Sequence, residues 1–113
     1  MLKIYHNARC RKSRAGLAYL KSKVPDFEIV EYMKHDLSKE ELQEILKKTN
    51  KKPTEIVRTQ EVFFKKNLKG KTFNEKEWIK IISENPQLLQ RPIVVAKHKA
   101  IIANPPENID KVL

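Results

Sequence analysis

The order of secondary-structure signals across residues 2–32 constrains this chain more than any other feature. Leu2-Lys3-Ile4-Tyr5 alternates apolar and polar character, as a half-buried strand does. His6-Asn7-Ala8-Arg9 reads as a loop. A helix begins near Cys10 or Lys12, with Leu17, Leu20 and Val24 spaced three and four apart, and Pro25-Asp26 stops it. Phe27-Glu28-Ile29-Val30-Glu31-Tyr32 is β-rich and reads as a second strand. Strand, helix, strand predicts a right-handed crossover joining a parallel pair.

The middle of the chain is helical. Ser38 with Glu41 three residues on forms a capping box, and Leu42, Ile45 and Leu46 supply the apolar stripe behind it. Pro53 suits the first position of a short helix carrying Ile56, Val57 and Arg58. Thr59 to Lys71 reads as a helix fragment and a loop ending at Gly70. Asn74 with Glu77 makes a second capping box ahead of Trp78, Ile81 and Ile82, and Asn85-Pro86 closes that helix.

The last third returns to strands. Ile93-Val94-Val95-Ala96 is a β-branched run suited to a buried strand, and Ala100-Ile101-Ile102-Ala103 pairs back across a polar turn. After Pro105-Pro106, a final helix carrying Ile109, Val112 and Leu113 is stable only if it packs on the sheet. The expected fold is one α/β domain over residues 1–113: a β-α-β…β-β-α mixed sheet with a helical insertion at about 36–90, between the second and third strands.

At 113 residues and 40% apolar content, the chain supports one modest core. No apolar run approaches the ~20 residues that span a bilayer. The Leu2-Ile4 start predicts no secretory leader. Cys10 is the single cysteine, which excludes an internal disulfide framework and a multi-cysteine zinc site and suits a reducing cytoplasm; no metal is expected. The net charge of +10 attracts anions. Most of the excess is lysine mixed with glutamate on helix faces, and no aromatic platform or groove-reading motif accompanies it, so nucleic acid is not an expected partner.

Cys10 lies at a loop-to-helix junction among Arg9, Arg11, Lys12 and Arg14. Free backbone N–H groups at a helix start, the helix dipole and nearby cations lower a thiol pKa and cradle an anion. An inert packed thiol is the alternative, but a cysteine flanked by arginines makes a poor core residue. Ser13 either donates to the thiolate or caps the first turn; His6 either tunes Cys10 or holds the loop. Arg91, before Pro92 and a buried strand, either binds an anion or caps the preceding helix. Arg58 is either an anion ligand or a surface residue. His35 and His98 carry no ligand-like spacing.

Tyr5-His6-Asn7-Ala8-Arg9-Cys10-Arg11-Lys12-Ser13-Arg14 resembles the opening of the glutathione/glutaredoxin-coupled arsenate reductases, and Arg91-Pro92-Ile93-Val94-Val95 resembles that family's Arg-Pro-Ile-Val-Val strand. Ile56-Val57-Arg58 sits where members carry an arginine after two apolar residues. The resemblance covers nearly the whole chain and implies a thioredoxin-like fold. It implies Cys10 as the thiolate that attacks arsenate, His6 and Ser13 as groups favouring that thiolate, Arg58 and Arg91 as oxyanion ligands, and Pro92 as the structural cis-proline. It implies no bound cofactor, glutathione as co-substrate, a glutaredoxin-type protein as partner and a monomeric, cytoplasmic enzyme. The need for an outside thiol also follows from the single cysteine, since thiol exchange requires an attacking thiol. The stretch Ala100 to Pro106 carries no arginine, whereas better-known arsenate reductases of this class have a third one on the last hairpin. Related alternatives are a glutathione-dependent thiol reductase and an Spx-type, RNA-polymerase-binding regulator. The latter usually has a Cys-x-x-Cys switch that Cys10-Arg11-Lys12-Ser13 lacks.

Overall fold

A computed structural model describes residues 1–113. Strand β1 (Lys3–Tyr5) pairs parallel with β2 (Glu28–Val30), across helix α1 (Arg11–Lys23). Strand β3 (Ile93–Val95) pairs antiparallel with β1, and β4 (Ala100–Ile102) antiparallel with β3, giving the sheet order β2-β1-β3-β4. Between β2 and β3 lie α2 (Lys39–Thr49), α3 (Val62–Asn67) and α4 (Glu75–Glu84).

Alternation along the strands splits the core in two. Ile4 and Val94, partners across β1 and β3, join Leu20, Ala103 and Ile109 on one face. Tyr5, Ile93 and Val95 point to the opposite face and join the larger cluster built with Leu42, Ile45, Trp78 and Ile82. Each such aliphatic side chain, once buried, contributes about 1.5–3 kcal/mol of transfer free energy. Helices therefore cover both faces of the sheet. The Tyr5 hydroxyl also donates to Glu41 Oε2 at 3.0 Å, tying β1 to α2.

Both expected capping boxes form. Ser38 Oγ accepts from Glu41 N–H while Glu41 Oε1 accepts from Ser38 N–H, each at 3.0 Å. Asn74 and Glu77 reciprocate at 2.8 and 2.9 Å. These contacts fix where α2 and α4 start and so aim their apolar stripes at the sheet.

Two expectations need correction. Ile56, Val57 and Arg58 are not helical, because the 3₁₀ turn at Pro53 ends at Glu55. Val57 instead makes an antiparallel bridge with Leu89, and Arg58 N–H donates to Leu88 O at 2.7 Å. A backbone partner across the insertion outcompetes continuation of a short helix. The last element, Pro106–Val112, is a 3₁₀ helix and not an α-helix. Its seven residues gain too little from helix propagation to stand alone, and it is held by fully buried Ile109 and by Tyr19, whose hydroxyl reaches the Asp110 carboxylate at 2.9 Å.

Candidate active site

Cys10 is the N-cap of α1, with extended backbone angles (φ −96°, ψ 124°) and no side-chain capping bond. Its sulfur is thus left at the positive end of the helix, where the first-turn N–H groups lack intrahelical partners. The preceding loop is locked by its own hydrogen bonds. Cys10 N–H donates to Asn7 O at 3.0 Å, Arg9 N–H to Asn7 Oδ1 at 3.0 Å, and Arg14 Nη1 to Ala8 O at 2.9 Å. Arg14 therefore clamps the loop, while Arg9 stands exposed.

His6 and Ser13 are buried side by side beneath this loop. Ser13 Oγ lies 2.8 Å from His6 Nδ1 and accepts from Asn7 N–H at 2.9 Å. The serine hydroxyl is thus committed to the loop and to His6, and it is the Ser13 backbone N–H that faces the sulfur. Burial holds the His6 pKa below its usual value, against the pull of Glu31, so the imidazole stays neutral.

Arg91 enters from the other side, immediately ahead of β3. Its Nη1 donates to Gln87 O at 3.2 Å, which orients the guanidinium toward Cys10. Burial of the sulfur opposes ionisation. The facing Arg91 and the Ser13 and Lys12 N–H groups outweigh it and hold the thiol pKa below its ordinary value. Arg91 responds reciprocally: burial disfavours its charge, but Cys10 and Tyr32 hold its pKa above the ordinary guanidinium value. The two groups are within hydrogen-bonding reach, and that contact together with the opposite charges favours the ionised form of both.

The Arg91-Pro92 peptide is cis, as is Asn104-Pro105. Pro92 packs its ring directly on Gly16 of α1. Arg58 is positioned by the Val57–Leu89 bridge, with its side chain 14% exposed and Nε bound to Glu61 Oε2 at 3.2 Å.

Three contributors escaped the sequence reading. Glu61 occupies Arg58. Gly16 admits Pro92, and its signal was a glycine inside a helix, where it costs about 1 kcal/mol and asks for a packing reason. Tyr32, fully buried at the turn after β2, has its hydroxyl near Arg91, Cys10 and Arg58; nothing in its local sequence sets it apart.

A groove of about 520 Å³ opens beside the Cys10 loop, between Asn7 and Arg9 on one side and Glu31, Met33 and Lys34 on the other. No group of three or more His, Cys, Asp or Glu side chains is arranged to hold a metal ion, and no helix is long and apolar enough to cross a membrane.

A mixed four-stranded sheet covered by helices, with one partly buried thiol at the first helix start, defines a thioredoxin-like protein with a single candidate nucleophile. The chain belongs to the ArsC family, whose model matches residues 5–112. It is 38% identical over 112 residues to an arsenate reductase of Haemophilus influenzae, covering 97% of both chains. The solved arsenate reductase from Vibrio cholerae superposes with a TM-score of 0.92 at 30% identity, over 99% of this chain and 97% of that one. The global transcriptional regulator Spx 2 of Bacillus anthracis is 29% identical over 100% of this chain and 87% of its own.

Proposed function

We propose that this protein reduces arsenate, with Cys10 as the nucleophile. The observation that carries the reading is the Cys10 sulfur at the N-terminus of α1 with the Arg91 guanidinium facing it. A thiolate and an oxyanion repel each other, so bringing them together requires fixed positive groups around both. The N–H groups of Lys12 and Ser13 and the side chains of Arg91 and Arg58 meet that requirement. In the proposed reaction the thiolate attacks arsenic(V), a sulfur–arsenic bond forms, and one arsenic oxygen leaves as water after protonation. Glutathione then adds to the arsenic in place of a second oxygen. A glutaredoxin-type thiol attacks the glutathione sulfur, forming a disulfide; the electron pair of the broken glutathione–arsenic bond reduces the arsenic to arsenic(III). Hydrolysis releases arsenite and restores Cys10. Two thiols thus supply the two electrons, and the single cysteine of this chain returns unchanged.

Similarity to named arsenate reductases over nearly the whole chain supports this reading. The test is arsenite formation from arsenate with glutathione and glutaredoxin. Activity in the wild type and its loss in a folded Cys10→Ser variant are expected; an inactive wild type sinks the proposal.

One observation favours a second reading. The β3–β4 hairpin and its exit, Ala100 to Pro106, hold no arginine to complete an anion cage. A glutathione-dependent reductase of disulfide or glutathionylated substrates needs the activated thiol but not that cage. Turnover of a mixed glutathione disulfide without arsenite formation would favour it.

A further inference from the structure

Two buried side-chain polar atoms in this protein have no hydrogen-bond partner: the Tyr32 hydroxyl and Arg91 Nε. Both belong to the same corner of the molecule. Tyr32 begins the turn after β2, at the end of the parallel pair from which the Cys10 loop also departs. Its side chain is 1% exposed, and its ring lies 6.5 Å from that of Tyr5, centroid to centroid. Its hydroxyl faces the Arg91 guanidinium without a hydrogen bond of standard geometry and feels Cys10 and Arg58 as well; a guanidinium can only donate, so the hydroxyl's own proton has no acceptor.

An unsatisfied buried hydroxyl is expensive, and buried polar groups are otherwise almost always paired. The neighbouring side chains follow the rule: Ser13, His6, Asn7 and Arg14 each make at least one hydrogen bond within the loop. An open donor beside an activated sulfur and two guanidinium groups is accounted for if a ligand completes it.

We propose that the Tyr32 hydroxyl, alongside Arg91 Nε, donates to an oxygen of a tetrahedral oxyanion held next to Cys10. Tyr32 is thereby a substrate-binding residue in a site whose last hairpin lacks an arginine. Burial pushes the tyrosine pKa up to about 12, against the opposing influence of Arg91, so the hydroxyl keeps its proton and remains a donor across the neutral range. A neutral donor binds the anion without adding a further cation to the cluster already formed by Arg58, Arg91 and the helix start. This inference rests on the oxyanion reading of the Cys10 site, and its test is independent of arsenate turnover.

Inorganic phosphate, a tetrahedral anion that thiols do not reduce, serves as the probe. The rate of Cys10 alkylation by iodoacetamide is followed as phosphate is added to the wild type and to Tyr32→Phe. Phosphate is expected to protect the wild type, and the half-protecting concentration should rise about tenfold in Tyr32→Phe, the loss of one hydrogen bond to a charged acceptor. The melting temperature of Tyr32→Phe should stay close to that of the wild type, because the hydroxyl makes no hydrogen bond of standard geometry in the free protein. Equal protection of both proteins overturns the inference, whatever the outcome of the arsenate assay. So does an absence of phosphate protection in the wild type. A marked fall in melting temperature would assign Tyr32 a structural role and overturn it too. Loss of protection in Tyr32→Phe with no arsenite formed by the wild type would leave the anion site standing and remove only its assignment to arsenate.

Discussion

The ring of Pro92 occupies the space that a Cβ on Gly16 would need, with Ala103 O a further neighbour at 3.5 Å. This contact seats the residue after Arg91 on the helix that Cys10 starts, so it links the spacing of those two groups to the packing of α1 on the sheet. Gly16→Ala should gain about 1 kcal/mol of helix propensity. It should lose about 1–3 kcal/mol by overpacking against a stiff ring, for a net destabilisation. Denaturant unfolding measures the balance, and the Cys10 alkylation profile should show Arg91 displaced.

The thiolate is expected to persist to lower pH than in an ordinary cysteine. Alkylation of the wild type should have its midpoint below that of a free thiol, and Arg91→Gln should move the midpoint upward, because the facing guanidinium favours the charged form. The linkage has a definite sign. A depressed folded-state value contributes stability above the ordinary thiol pKa, and that contribution is lost as pH falls through the lowered value. Cys10→Ser should remove this part of the pH dependence. A wild-type midpoint at the free-thiol value would contradict the activation argument.

Ser13→Ala leaves Asn7 N–H and His6 Nδ1 without their shared partner. The expected cost is about 1–3 kcal/mol, since the site is buried. Full stability in this variant would mean that the loop is held by other contacts.

Burial keeps His6 neutral and its pKa low. The unfolded chain takes up a proton near the usual value of about 6.5, before the folded one does. Stability should therefore decline as pH falls below that value toward the lowered one, and His6→Gln should flatten the decline. Melting temperatures measured from neutral to mildly acidic pH test this.

Glu61 occupies Arg58 Nε at 3.2 Å in a pair whose side chains are 14% and 25% exposed. An incoming anion competes with that carboxylate for the same donor. Glu61→Gln should bring half-protection of Cys10 at several-fold lower phosphate, while weakening so buried a pair should cost about 1–3 kcal/mol of stability. Unchanged protection would show that Arg58 does not contribute to anion binding.

Much of this architecture is local and therefore legible in one dimension. The Ser38/Glu41 and Asn74/Glu77 boxes each lie within a single helical turn, where a side chain and a backbone N–H have no choice but to meet. The β-branched run at Ile93 declares a strand because its side chains favour an extended backbone and a buried sheet. Arg58 was misread for the converse reason. Pro53 starts a helical turn, but the bridge from Val57 to Leu89 ends it, and that partner lies more than thirty residues away. The open hydroxyl of Tyr32 has no local signature either, since lack of a partner is a property of the surroundings.

By itself the sequence determined the order of strands and helices, the placement of one thiol at a helix start among cations, and the absence of a second cysteine. These rest on periodicity, capping and the number of cysteines, all set by near neighbours or by composition. Only the tertiary structure decided that Arg91, Tyr32 and Arg58 surround the Cys10 corner, with Glu61 holding Arg58. That convergence depends on β3 lying beside β1, on Pro92 seating against Gly16, and on the bridge between Val57 and Leu89. Contacts between remote segments form when two apolar faces are buried at once, and no local pattern specifies which distant side chains then meet.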